Sequence, residues 1–227
     1  MTEIKLIPGG VCAAQGFTGS GIHCGIRKNR TKRDLALIYS EKAANAAAVY
    51  TTNLVKGAPL EVTKKHLADG KARAVICNSG NANTCNANGV EIAEQTCALL
   101  ADELGIDKND VVVASTGVIG QPLDIAPIAS GIPQLHAALG DCSLDAAEGI
   151  MTTDTKVKEI AVSFEIGGVE CKIGGIAKVG TFTGYYYTAT FSAQIATPII
   201  YGIVRMFTGT YMSLFYYCPI AFILSAL

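Results

Sequence analysis

One boundary constrains this chain more than any other feature. From Val179 to Leu227 the only charged residue is Arg205, and that stretch holds 12 of the 16 Tyr and Phe residues. The other 36 Lys, Arg, Asp and Glu residues lie in residues 1–178. The averages over all 227 residues, 50% hydrophobic and 16% charged, therefore describe neither part. About one-fifth of residues 1–178 is charged, and that stretch is rich in Ala, Gly and Val, as in an ordinary soluble domain with chain enough for a core. A net charge of −1 leaves no basic excess and excludes an electrostatic nucleic-acid surface.

The boundary predicts two parts, a domain over 1–178 and an unrelated hydrophobic, helical tail over 179–227. Tyr185–Val204 and Met206–Leu227 carry no charge, and each is long enough for a membrane span of about 20 residues. Arg205 and the tyrosines suit an interface between them. Gln194 and Pro198 weaken the first span, and a buried core segment is the competing account. The start, Met1-Thr-Glu-Ile-Lys5, shows no secretory pattern, so a cytoplasmic location is expected. The eight cysteines include no C-x-x-C pair, and His23, His66 and His136 share no ligand spacing. Reduced, scattered thiols are expected, with no metal and no cofactor.

Along residues 1–178, short apolar runs at Asp34–Ser40, Ala46–Thr52, Ala72–Cys77 and Val111–Ala114 predict buried strands. Pro59–Asp69 predicts a helix closed by Gly70. Val90–Leu104 predicts another closed by Gly105, with Val90, Ala93, Cys97, Leu100 and Leu104 along its inner face. Ala126–Leu139 predicts a helix broken near Gly131 and Pro133. Ile160–Ile166 and Val169–Ile173 predict a hairpin turning at Gly167–Gly168. Alternating strands and helices without a fixed repeat make the fold a mixed α/β (α+β) domain.

Chemistry is expected in the polar loops after apolar strands. Asn78-Ser-Gly-Asn-Ala-Asn83 favours left-handed backbone and inward amides, although a plain turn has the same composition. Ser115-Thr-Gly-Val-Ile-Gly120 can aim a hydroxyl and an N–H at one point, as a developing oxyanion requires. It could equally hold a phosphate, but no P-loop lysine accompanies it. Met151-Thr-Thr-Asp-Thr155 groups hydroxyls that suit either a turn or a polar ligand. Lys178, after Gly174-Gly175, is either a surface charge or a partner for a carboxylate.

These stretches carry a resemblance. Gly9-Gly-Val-Cys12 with Gly16-Phe17, Asp34-Leu-Ala-Leu37, Thr51-Thr-Asn53, Ala58-Pro59, Asn78–Asn83, Ser115–Gly120, Ile150-Met-Thr-Thr-Asp154 and Gly174–Lys178 occur in one order across nearly all of 1–178. In that order they resemble the α-chain part of the ornithine acetyltransferase family, also called bifunctional glutamate N-acetyltransferase, of arginine biosynthesis. The resemblance implies a precursor that cuts itself at an Ala–Thr bond. The freed Thr is then the nucleophile of a ping-pong transfer of acetyl from N-acetylornithine to glutamate, with acetyl-CoA as a further possible donor. It implies that Thr116 and Gly117 form the oxyanion hole and that Thr152 and Lys178 contact substrate. The family pattern stops at Lys178. Ala189-Thr190 lies near the expected cut, but its neighbours do not match, so the chain is expected to end before its nucleophile, to lack its β-chain partner and to be inactive alone. The tail, Gly184–Pro198 and Leu214-Phe-Tyr-Tyr217, looks like a piece of a major-facilitator-type transporter. Two alternatives stand beside the enzyme: a membrane-associated, transporter-derived fusion without acetyltransferase activity, and a non-catalytic phosphate- or nucleotide-binding module.

Overall fold

Residues 3–29 and 31–178 are described by the structure, a computed structural model. The chain divides into two units, 1–178 and 179–227, and only the first falls within the described residues. The expected membrane spans, the transporter-like segments and Ala189-Thr190 lie outside them. No helix among the described residues is long and apolar enough to cross a membrane.

The first unit is built on two sheets. β1 (Lys5–Ile7), β6 (Glu159–Ile166) and β7 (Val169–Ile176) form an antiparallel sheet in the order β1-β6-β7. β2 (Phe17–Ile22), β3 (Leu35–Asn45), β4 (Lys71–Asn81) and β5 (Val111–Val118) form the second, in the order β2-β3-β4-β5. Only the last pair, β4 with β5, is parallel.

Side-chain alternation assigns the faces of the four-stranded sheet. Leu37 pairs with Ile76, and Ile76 with Val113, so one apolar row crosses three strands on the inner face. Helices α1 (Ala58–His66), α2 (Gly89–Leu104) and α3 (Ala126–Ala137) cover this face. Leu35, Leu37, Val62, Ile76, Leu100, Val111, Ile128 and Leu135 are almost fully buried there. Each such aliphatic side chain contributes about 1.5–3 kcal/mol by leaving water. The short α4 (Ser143–Gly149) packs on the opposite face, over β2 and β3.

Several sequence expectations change here. Ala46–Thr52 forms no strand, and Val49 is fully exposed; with no partner strand to accept its hydrogen bonds, an apolar run does not become sheet. α3 is unbroken. Its Gly131 is required because a Cβ there would stand 2.6 Å from Cys24 Cβ. Pro133 sits on the exposed side of α3, where the carbonyl it leaves unbonded can reach water. The inner face of α2 is Ile92, Ala93, Thr96, Cys97, Leu100 and Ala101, whereas Val90 is exposed. The hairpin at Gly167–Gly168 is present, and its second strand extends to Ile176. Gly174 and Gly175 are therefore strand residues, paired with Ala161 and Ile160.

The three-stranded sheet has one apolar face. Register places Leu6 beside Val162, Val162 beside Ile173, Phe164 beside Cys171 and Ile166 beside Val169. Leu6, Ile160, Ile166, Val169 and Ile173 are each more than half exposed. The other face rests on the 3-10 turn Gly10–Ala13, approached so closely that a Cβ on Gly174 would stand 1.9 Å from the Gly10 carbonyl oxygen.

Candidate active site

The carboxyl ends of the parallel pair β4 and β5 lie side by side, the position at which open α/β sheets place ligands. Asn78 pairs with Ser115, Ser79 with Thr116 and Gly80 with Gly117. Asn78–Asn81 and Ser115–Val118 thus continue their strands, and neither stretch begins as the loop that its Gly and Asn content suggests. Gly117 has φ +139°, and a Cβ on it would stand 2.3 Å from the Gly80 carbonyl carbon. Only glycine brings the two strand ends this close.

The polar side chains of the Asn78–Asn83 run are used internally. Ser115 Oγ donates to Asn78 Oδ1 at 2.6 Å, and Asn78 Nδ2 donates to the Asn81 carbonyl at 2.9 Å. Asn81 Nδ2 donates to the Gln121 carbonyl at 3.0 Å, and Asn81 Oδ1 accepts from the Asn83 N–H at 2.8 Å. Asn83 Nδ2 donates to the Gly89 carbonyl at 2.8 Å, where α2 begins. Asn78, Ser79, Asn81 and Asn83 are buried, so this network replaces the water that their polar atoms lost. It fixes the shape of the site and leaves those side chains committed to the protein's own backbone.

Thr116 differs. It is half-buried on the α4 side of the sheet, and its hydroxyl makes no hydrogen bond among the described residues. Gly117 beside it is exposed. Thr152 follows α4 in the loop after Gly149, and its N–H donates to Asp154 Oδ2 at 3.2 Å. Asp154 is buried and accepts from Lys158 Nζ at 2.8 Å. Lys178 is exposed, and its ammonium is close enough to Cys77 to act on that thiol. Burial pushes Cys77 up to about 12, and Lys178 pulls the other way. Among the described residues no hydrogen bond or ion pair joins any two of Thr116, Gly117, Thr152 and Lys178.

Arg27, which the sequence reading passed over, makes the link. Its guanidinium donates to the Met151 carbonyl, next to Thr152, and its Cγ would stand 2.8 Å from a Cβ on Gly80. It therefore spans from the strand ends to the threonine loop. Burial pushes the Arg27 guanidinium down from its ordinary value, and Asp34 and Asp154 oppose that shift. The Arg27 backbone is held in turn by Asp34, a fully buried carboxylate that accepts from the N–H groups of Cys24, Gly25 and Arg27 at 2.7, 3.3 and 2.9 Å. A lone arginine in a Gly-Ile-Arg loop has no local signal for this link, because the groups its side chain joins, Gly80 and the Met151 carbonyl, lie 53 and 124 positions away.

A cavity of about 550 Å³ lies elsewhere, over the three-stranded sheet, and none of these residues lines it. Among the described residues no group of three His, Cys, Asp or Glu side chains is placed to hold a metal.

Comparison with known proteins identifies the family. A family model described as "ArgJ family" matches residues 18–196. The arginine biosynthesis bifunctional protein ArgJ of Caldanaerobacter subterraneus is 42% identical over 177 residues, covering 77% of this chain and 43% of the relative. The glutamate N-acetyltransferase of Methanocaldococcus jannaschii is 40% identical over 200 residues, covering 86% and 48%. This chain thus spans under half the length of the curated relatives it matches. Among solved structures, the Bacillus halodurans arginine biosynthesis bifunctional protein superposes with a TM-score of 0.75 at 35% identity, covering 80% of this chain and 96% of that one. The Mycobacterium tuberculosis ornithine acetyltransferase, crystallised with ornithine, gives 0.73 at 33% identity, covering 79% and 96%. With the ordered motifs, the fold and the family match in agreement, the chain belongs to the ArgJ family.

Proposed function

We propose that residues 1–178 are the α-chain part of an acetyltransferase that moves acetyl from N-acetylornithine to glutamate. Family membership supports the reading, as do the names of the relatives and the ornithine bound by the mycobacterial one. The observation that carries it is the Gly117–Gly80 packing, which holds Thr116 and Gly117 at the end of β5 with the threonine hydroxyl uncommitted.

In this mechanism a threonine hydroxyl attacks the acetyl carbonyl of N-acetylornithine. Charge develops on the carbonyl oxygen, and Thr116 Oγ and the Gly117 N–H stabilise it. The C–N bond breaks, ornithine leaves with a proton, and the acetyl group stays on the threonine as an ester. The glutamate amine then attacks the ester, releasing N-acetylglutamate and returning the proton to the threonine. Thr152 and Lys178 hold the amino-acid carboxylate, with Arg27 setting the position of the Thr152 loop. No cofactor takes part, and acetyl-CoA is a second possible donor. The nucleophile and the remaining substrate contacts come from the portion of the family protein that this chain does not span.

The test is acetyl transfer measured with the full chain, alone and co-expressed with the C-terminal half of the Caldanaerobacter relative, following N-acetylglutamate by chromatography. The chain alone is expected to give no turnover, and the complemented pair to give turnover. A stable but inactive pair would overturn the reading. Turnover by the chain alone, abolished in Thr190→Ala, would overturn the assignment of the nucleophile.

A further inference from the structure

Outside this site, two half-buried cysteines, Cys12 and Cys142, lie where the 3-10 turn Gly10–Ala13 meets the start of α4. The Val11 N–H donates to Ser143 Oγ at 2.9 Å, so the residues next to Cys12 and Cys142 are hydrogen-bonded across the junction. The Cys12 thiol lies 3.7 Å from the Gly140 carbonyl oxygen, and Cys142 Sγ stands 3.7 Å from the place of a Cβ on Gly140. Both sulfurs therefore flank one glycine. The place of a Cβ on Gly19 is 3.1 Å from Cys12 Sγ and 3.5 Å from the Cys142 carbonyl oxygen. The Cys12 sulfur and the Cys142 backbone are thus neighbours on one side of β2.

We propose that Cys12 and Cys142 form a reversible disulfide, made by exchange with a small-molecule disulfide, that clamps the Gly10–Ala13 turn to α4. The Val11–Ser143 bond and the place of Cys12 Sγ beside the Cys142 backbone put the two cysteines on adjoining segments, and the bond requires their Cα atoms to come within about 4.4–6.8 Å.

The exchange balances in two steps. The Cys142 thiolate attacks one sulfur of the small disulfide, forming a mixed disulfide and expelling one small thiolate. The Cys12 thiolate then attacks Cys142 Sγ, forming the protein disulfide and expelling the second. Two protein thiols are oxidised, one small disulfide is reduced to two thiols, and the protein's protons pass through solvent to those products. Burial raises the Cys12 thiol above its ordinary value and Asp141 adds to this, while the Cys142 N–H that faces the sulfur opposes it. Cys12 therefore takes the second, intramolecular step, where closeness offsets its smaller thiolate fraction.

The bond closes a loop of about 130 residues, a length at which a disulfide strongly restricts the unfolded chain. It also fixes the start of α4, whose far end leads through Gly149 to Met151 and Arg27.

The experiment incubates the full chain with oxidised glutathione at pH 8, alkylates the remaining thiols and maps non-reduced peptides by mass spectrometry. The expected result is a Cys12–Cys142 crosslinked peptide, two fewer free thiols and a Tm raised by about 5–10 °C, reversed by dithiothreitol. Cys12→Ser and Cys142→Ser should each lose the rise, while Cys171→Ser should keep it. Glutathione adducts on Cys12 or Cys142 without a crosslink, a dominant bond between other cysteines, or no loss of thiols would each overturn the proposal. The crosslink map on the unsubstituted chain decides the question even if a serine variant fails to fold.

Discussion

Gly117 stands against the backbone of Gly80, with only 2.3 Å between the Gly80 carbonyl carbon and the place where a Cβ on Gly117 would be. The strand ends that carry Thr116 and the Asn78–Asn81 network cannot separate without breaking the β4–β5 register. Gly117→Ala meets both this clash and a φ of +139°. It should destabilise the fold by about 2–4 kcal/mol. In the complemented enzyme it should also displace Thr116 and lower acetyl transfer. Denaturant unfolding and an activity assay on the same preparation check both.

Thr116→Ala should separate chemistry from stability. The hydroxyl has no hydrogen bond to lose among the described residues, so the denaturation midpoint should change little, within about 0.5 kcal/mol. If the hydroxyl is an oxyanion donor, the rate in the complemented enzyme should fall about 10²–10³-fold, with KM less affected. Steady-state kinetics with N-acetylornithine as the varied substrate read this split.

Asp34 is fully buried and accepts three backbone N–H groups, with His23 Nδ1 at 3.1 Å. Asp34→Ala leaves those donors without a partner and should cost about 3–5 kcal/mol. Asp34→Asn retains one accepting oxygen and should cost less. Equilibrium unfolding of the two variants orders them.

Glu94 sets part of the acid stability. Its carboxyl is held below the ordinary 4.5, first by the hydrogen bond from Lys65 Nζ at 2.9 Å; burial opposes this and Lys108 adds to it. The buried His66 ring also faces it, with Nε2 at 3.5 Å. Because the folded value is depressed, this stabilisation is fully present above pH 4.5 and is lost as pH falls through the folded value. Lys65→Met should therefore flatten the stability-against-pH curve below pH 4.5 relative to the unsubstituted chain. Thermal melts from pH 7 down to pH 3 measure the difference.

The exposed apolar face of the three-stranded sheet should drive self-association. Ile160 and Ile173 are each 59% exposed and lie on that face by register. Surfaces of this kind are association sites. The double variant Ile160→Lys, Ile173→Lys should keep the fold, since neither side chain is in the core, and should shift sedimentation toward monomer.

Much of the inner framework was legible in the residues. The apolar runs within β3, β4 and β5 and the capped helices α1 and α2 were read from periodicity and glycine stops, which act over a few positions. β2 was not, because Phe17-Thr-Gly-Ser-Gly-Ile22 has little apolar alternation to read. A Cβ on its Gly21 would stand 1.9 Å from the Asp145 carbonyl oxygen, so α4, more than a hundred positions away, dictates that composition. Ala46–Thr52 misled in the opposite direction, since it has the composition of a strand and no neighbouring strand to pair with. At the site, Thr116 and Gly117 were singled out from their own motif, whereas Arg27 was not, because its partners are remote in sequence.

The sequence by itself determined the inner row of the sheet and the family, which rest on local period and ordered motifs, whereas the family match runs on past Lys178 to residue 196. The tertiary structure alone decided that Asn78–Asn81 and Ser115–Val118 are strand ends, that the Asn78, Asn81 and Ser115 side chains are spent within the protein while the Thr116 hydroxyl is not, and that Arg27 ties them to the Thr152 loop. The reason is range. A periodic pattern encodes which side of an element faces inward, but the close approach of Gly117 to Gly80 depends on two segments 37 positions apart arriving at the same place.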